Sequence, residues 1–149
     1  MKEFRIRPKS DYMHTASIES LYALTEHWES DMQFYTDEIA FLQGLFDKYF
    51  VLMSREDKID LVQAEANELL KLNDTCDELK KRMKKHQLHL EELEENAFSH
   101  DEQSFRDEHG KLEDDFSAFV KRFREVKKNV FTISEEAMEV SKESHLIKD

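Results

Sequence analysis

Apolar residues recur along three long segments of this chain at alternating intervals of three and four positions. That interval places the side chains on one face of an α-helix, where a neighbouring helix can bury them. In the first segment, residues 17–53, we therefore predict a helix with one continuous apolar seam. The seam residues are Ile18, Leu21, Trp28, Met32, Tyr35, Ile39, Leu42, Phe46, Tyr49 and Met53.

The same rhythm predicts a second helix over about 56–97 and a third over about 100–140. The seam of the third runs from Phe98 to Val140, and its only charged or ionisable members are Glu102 and His109. Ser99 and Glu102 form a capping-box pattern, which gives Glu102 a structural role at the start of this helix. His109 is therefore the seam residue whose chemistry still needs an explanation.

Turns of only a few residues separate the three segments, so sequential helices must run antiparallel. We predict an all-α fold, an up-down-up antiparallel bundle of three long helices with coiled-coil-like packing. Residue numbers that face each other should sum to roughly 110 for helices one and two, and to roughly 196 for helices two and three. Residues 1–15 are expected to form a flexible basic arm, and residues 142–149 a frayed C-terminus.

Composition supports this assignment and narrows the function. The chain has two glycines, one proline and 38% charged residues, which is typical of long helices. Its net charge of −12 disfavours nucleic acid as a partner. There is one cysteine, no signal-peptide pattern and no apolar run long enough to span a membrane, so we expect a cytoplasmic protein without a membrane partner.

The predicted register can be tested against charges, which did not enter its derivation. It places the basic run 80–85 beside residues 113–115, and the basic run 121–128 beside Glu65 and Glu68. Glu38 falls level with a basic stretch of the third helix that includes Arg124, Lys127 and Lys128, so we expect a salt bridge to tether it. Such flanking pairs fix the register of packed helices and contribute at most about 1 kcal/mol each.

The same register brings His86 level with His109 and with Thr25, which predicts a polar layer inside the bundle. Three interpretations are open: a structural hydrogen-bonded layer, a pH-sensitive layer, and a site for a transition metal such as zinc, iron or manganese. The candidate metal ligands are His86, His89, His109, Glu26 and Glu29. Catalysis has little support, because the chain has no glycine-rich phosphate loop and its carboxylates lie on helix flanks.

The first helix contains Trp28, Asp31, Phe34-Tyr35 and Asp37-Glu38. These residues, at these offsets, resemble the first-helix signature of a family of short uncharacterised bacterial helical-bundle proteins. Histidines in that family's second and third helices are similar to His86 and His109. The resemblance implies a cytosolic helical bundle and brings no activity with it.

From these observations we expect a non-enzymatic interaction or scaffold protein that binds a protein partner or itself, as a homodimer. Phe34, Phe41 and Phe50 fall outside the main seam and would be exposed, as a second interface requires. The alternative is a metal- or small-ligand-binding bundle that uses the histidine layer.

Overall fold

The computed structural model describes residues 17–53, 58–95 and 102–148. These residues form three helices, α1 (Ile18–Met53), α2 (Ile59–Glu95) and α3 (Glu102–Lys148), and no strand. The predicted all-α three-helix bundle is confirmed. In the described part of the chain, no helix combines the length and the apolar character that crossing a bilayer requires.

Local hydrogen bonds explain where the first two helices begin. Ser17 Oγ accepts a hydrogen bond from the backbone nitrogen of Ser20 at 3.1 Å, which is the N-cap arrangement that satisfies a free N–H of the first turn. The carbonyl of Lys58 accepts from the backbone nitrogen of Val62 at 3.0 Å and starts α2. The predicted arm at 1–15, the first turn and the Ser99 capping box lie outside the described residues.

The end of α3 differs from the prediction. The helix continues to Lys148, beyond the predicted end near residue 140, and the expectation that residues 142–149 fray stays a prediction. The seam lapses after Val140, but the segment that follows contains neither glycine nor proline. Intrinsic helix propensity therefore carries the helix beyond the point where the apolar pattern stops.

The described residues divide into two compact units, each built from one segment of every helix. Unit 1 comprises 17–34, 75–95 and 102–120, and unit 2 comprises 35–53, 58–74 and 121–148. The buried apolar residues of unit 1 are Leu21, Trp28, Met32, Cys76, Leu79, Met83, Leu90, Leu93, Phe105, Leu112, Phe116, Phe119 and Val120. Those of unit 2 are Tyr35, Ile39, Leu42, Phe46, Val62, Leu69, Leu72, Phe123, Val126, Val130, Ile133 and Ala137.

Both sets are almost entirely predicted seam residues, so the heptad pattern identifies the core. Burying one such leucine or phenylalanine side chain contributes about 1.5–3 kcal/mol, which makes these seams the main source of stability. In unit 2 the rings of Tyr35 and Phe123 meet edge to face, with centroids 5.0 Å apart. Cys76 is buried in unit 1 as well.

Ion pairs confirm the register between α2 and α3. In unit 1, Arg82 Nη1 lies 2.8 Å from Asp115 Oδ2. In unit 2, Arg122 pairs with Glu68, and Lys58 Nζ lies 3.4 Å from Glu136 Oε2. The numbers in each pair sum close to the predicted value of roughly 196.

The expected salt bridge to Glu38 is present and is made by Lys127, whose Nζ lies 2.6 Å from Glu38 Oε1. The aliphatic stem of a lysine can pack over aromatic rings while its ammonium group reaches a carboxylate. Lys127 Nζ lies 5.8 Å from the ring centroid of Phe123 and 5.6 Å from that of Phe131.

Candidate functional site

A pair of buried imidazoles joins α2 to α3 in unit 1. His86 Nε2 and His109 Nδ1 are 2.9 Å apart, a hydrogen-bond distance, and the two residues are 2% and 0% exposed. The apolar seams of both helices carry these side chains inward, because each histidine takes a position that a leucine would otherwise fill. The predicted pairing of His86 with His109 is confirmed.

Aromatic rings cover the pair on both sides. The ring of His86 is stacked on Phe105 with centroids 4.2 Å apart and planes 2° from parallel. Trp28 of α1 is stacked on His109, with centroids 4.5 Å apart and an angle of 26°. These contacts hold both imidazoles in place and exclude water from the hydrogen bond between them.

His86 keeps one buried ring nitrogen outside the pair. Among the described residues, the buried His86 Nδ1 has no hydrogen-bond partner. Within the pair, the ring nitrogen that carries the proton donates and the other accepts.

His86 is uncharged at neutral pH. Burial lowers the pKa of His86 to about 4, and the nearby His89 and Arg82 act in the same direction when they carry a positive charge. An imidazole with this pKa is a weak base, and charging it would place a cation among stacked rings. The neutral His86 can therefore link α2 to α3 through its hydrogen bond to His109, which fixes which residues of the two helices face each other.

Thr25 is fully buried in the same unit, as predicted, but its hydroxyl has a local task. Thr25 Oγ1 donates a hydrogen bond to the backbone carbonyl of Leu21 at 2.9 Å, one helical turn back. This bond satisfies the hydroxyl within α1, as threonines inside helices commonly do. The predicted polar layer thus consists of a histidine pair with a separate, self-satisfied threonine.

The five candidate metal ligands do not form one cluster in the structure. His89 places its ring edge to face against Phe105 at 5.6 Å, and Glu26 is exposed. Glu29 faces α2, where the side-chain amide of Gln87, assigned with its nitrogen toward Glu29, donates to both carboxylate oxygens at 3.0 and 2.6 Å. Among the described residues, no group of three or more His, Cys, Asp or Glu side chains is placed to hold a metal ion.

Glu29 lies among other acidic residues of unit 1. Its pKa is raised by burial first; Lys84 opposes this shift, and the nearby Glu26 and Glu91 add to it. This acidic surface belongs to the α1 and α2 segments of unit 1. It is a solvated flank of the helices, and the charge of Lys84 partly offsets it at Glu29.

A groove between α2 and α3 opens beside the histidine pair in unit 1, with a volume of about 790 Å³. Its lining residues are Arg82, Lys85, His86, Leu88, His89, Glu92, Ser104, Asp107, Glu108 and Lys111. His86 is the most buried of these. Apart from the two histidines, the lining has three acidic side chains (Glu92, Asp107, Glu108) and three basic ones (Arg82, Lys85, Lys111). The groove could therefore accept a small polar ligand, but it has no strong preference for the sign of the ligand's charge.

Unit 2 has a different feature, an aromatic surface formed by Phe41 of α1 and Phe131 of α3. Their ring centroids are 6.3 Å apart at 83°, an edge-to-face contact, although the residues are 53% and 36% exposed. The ion pair between Lys127 and Glu38 lies alongside, and the Lys127 ammonium group contacts the Phe131 ring. Two large side chains thus contact each other while much of their surface faces solvent.

The three phenylalanines predicted to be exposed are exposed: Phe34 in unit 1, and Phe41 and Phe50 in unit 2. The contribution of Phe131 was missed, because residue 131 was not among the positions that the seam of the third helix singled out. Glu113 was also missed as a buried residue; it is 3% exposed in unit 1. A signal existed, since Gly110, Glu113 and Val120 form a second stripe of α3 at helical spacing, and all three are buried.

Comparison of the chain with protein-family models, with curated proteins and with solved structures finds no match. The resemblance of the Trp28 segment to short bacterial helical-bundle proteins therefore stays a prediction. The features that bear on function are the histidine pair with its groove in unit 1 and the aromatic surface of unit 2.

Proposed function

We propose that this protein is a non-enzymatic interaction module and that the aromatic surface of unit 2 binds a partner protein. The observation that carries the proposal is the exposed pair of Phe41 and Phe131 rings, fixed by their mutual contact. Rigid aromatic side chains lose little conformational entropy on binding and bury a large area, so they dominate the binding energy of many protein interfaces. Salt-bridged charges at the edge, here Lys127 and Glu38, suit the polar rim of such an interface.

The non-enzymatic part of the proposal is supported by the chemistry of unit 1. His86 is engaged by His109 and has a pKa of about 4, which makes it a poor general base at pH 7. The acidic chain and its one buried cysteine further favour a cytosolic setting and a protein partner over nucleic acid.

Site-specific photo-crosslinking in the protein's native cells tests this proposal. We expect p-benzoylphenylalanine at position 41 to form a discrete covalent adduct with a protein. The matched control is the same amino acid at position 70, because Leu70 in the same unit is 57% exposed and belongs to α2, which contributes no ring to the aromatic surface. No adduct from position 41, or equal adducts from both positions, would contradict the proposal.

A second candidate function is binding of a small polar ligand in the groove of unit 1. It is favoured by the position of His86, whose Nδ1 is buried without a hydrogen-bond partner among the described residues in a side chain that lines the groove. The transition-metal alternative belongs here too, with zinc, iron or manganese as the ion. Metal analysis of protein purified without a histidine tag separates the two: a stoichiometric metal that disappears in His86→Leu and His109→Leu would favour the metal.

A further inference from the structure

The outward face of α1 in unit 2 carries a second seam. Asp37, Phe41, Gly44, Lys48 and Val51 follow one another at intervals of four, three, four and three residues, and all five are exposed. This spacing is the one that aligns side chains along a contact between two helices. The α1 segment therefore presents one seam to the core of unit 2 and another to solvent.

Gly44 in the middle of this face makes no close packing contact that would require a glycine. A Cβ atom placed there would meet nothing within 4 Å beyond the adjoining backbone of α1, and glycine makes a helix less stable than alanine would. What glycine offers instead is access to the backbone, because it has no side chain to keep another helix at a distance. The exposed Phe41, one turn earlier, supplies a side chain large enough to fill such an opening.

The charges on this face indicate what kind of helix would cover it. Asp37 lies at one end of the face and Lys48 lies near the other. If a second copy of α1 ran antiparallel across it, Asp37 of each chain would face Lys48 of the other, and Phe41 of each would lie over Gly44 of the other. A parallel arrangement would instead pair Asp37 with Asp37 and Lys48 with Lys48, which like charges oppose.

We propose that the seam formed by Asp37, Phe41, Gly44, Lys48 and Val51 binds the same seam of a second copy of this chain, antiparallel and related by a two-fold axis. This inference rests on the proposed interaction function and names the partner for it. The contact is isologous, so every favourable pair is made twice. Phe131 contacts Phe41 and extends the apolar area on each side of the seam.

The seam from Asp37 to Val51 spans about 21 Å at 1.5 Å rise per residue. A helix pair of that length buries less area than a standard interface, so the dimer should dissociate on dilution. Sedimentation equilibrium of the full chain over a range of concentrations measures its dissociation constant.

Charge-swap variants test the register. Asp37→Lys and Lys48→Asp each create two like-charge contacts, and each should weaken the dimer about tenfold. The double variant Asp37→Lys/Lys48→Asp restores opposite charges at both contacts and should return the dissociation constant to within about threefold of the original. Matched controls are Asp77→Lys and Lys81→Asp on exposed positions of α2, which change the net charge equally and should leave the dimer unchanged.

Gly44→Leu separates association from folding. Its side chain meets open space in the single chain, so resistance to urea should stay the same or rise, while dimerisation should fall more than tenfold because the approach of the second helix is blocked. A chain that is monomeric at all concentrations, a double charge variant that fails to recover, or a Gly44→Leu chain that still dimerises would overturn the inference. A monomeric chain that is nevertheless crosslinked at position 41 to another protein overturns only this inference, whereas the absence of any adduct overturns the proposed function as well.

Discussion

Unit 1 and unit 2 are built from the same three helices with the same heptad rhythm, but different residues depart from that pattern. Unit 1 buries more polar side chains, and unit 2 exposes more apolar ones. Among the described residues, unit 1 buries Thr25, His86, His109 and Glu113, whereas unit 2 buries one polar residue, Ser134. Large exposed apolar side chains show the reverse distribution. Unit 1 has Phe34 and Leu88, and unit 2 has Phe41, Phe50, Val51, Ile59, Leu61, Leu70, Phe131 and Met138.

The difference separates two requirements on a helical bundle. A buried polar pair costs stability compared with an apolar pair, but it penalises every register that would leave an imidazole unpaired. An exposed aromatic pair adds little to folding and is instead suited to binding. Unit 1 thus specifies how the helices align, and unit 2 presents the surface that we propose for association.

The largest effect should come from removing an aromatic ring of the buried layer. Trp28→Ala leaves a cavity beside His109 and Phe116, and we expect it to lower the free energy of unfolding by about 3–5 kcal/mol in urea titrations. Phe41→Ala in unit 2 should lower it by less than about 1 kcal/mol, since that ring is half exposed. Equal losses from the two substitutions would erase the distinction between a structural and a surface aromatic.

The next effect is a pH dependence specific to unit 1. The pKa of His86 falls from 6.5 to about 4 on folding, so between these values the unfolded chain binds the proton and the folded chain does not. The contribution of the neutral His86 to the free energy of unfolding is therefore fully present above pH 6.5. It is lost as the pH falls toward 4, by up to about 3 kcal/mol. Unfolding measured at several pH values should show this loss in the wild type and in the control His27→Gln, and a much smaller loss in His86→Leu.

A smaller effect should appear as coupling between the paired histidines. His86→Leu or His109→Leu alone leaves one buried imidazole without its partner and should cost about 1–3 kcal/mol. The double variant replaces both polar groups with apolar ones and should cost at least about 1 kcal/mol less than the sum of the single variants. Additive losses in this double-mutant cycle would mean that the hydrogen bond has no role in stability.

The smallest effect should come from the salt bridge beside the aromatic surface. Lys127→Met should change the free energy of unfolding by at most about 1 kcal/mol, because both charged groups are partly solvated. The difference from the wild type should shrink further in about 1 M salt. A loss well above this range would indicate that Lys127 supports the fold of unit 2 through more than its pairing with Glu38.

The sequence predicts the seams, the α2 to α3 register and the pairing of His86 with His109, because heptad spacing and short turns constrain all three. It does not predict details that depend on one residue's angular position around a helix. Glu113, for example, turns inward rather than toward solvent. The hydroxyl of Thr25 was assigned to the polar layer because residue spacing cannot show that its own backbone competes for it.

The most direct test of the association claim is disulfide formation between chains that carry single cysteines, prepared in a Cys76→Ala background. Equimolar Asp37→Cys and Lys48→Cys chains are mixed and mildly oxidised, and the products are separated by mass. We predict that the mixed disulfide between positions 37 and 48 forms fastest and that neither chain alone crosslinks at a comparable rate. Preferential formation of the 37–37 and 48–48 products, or no disulfide in the mixture, would contradict antiparallel association through this face of α1.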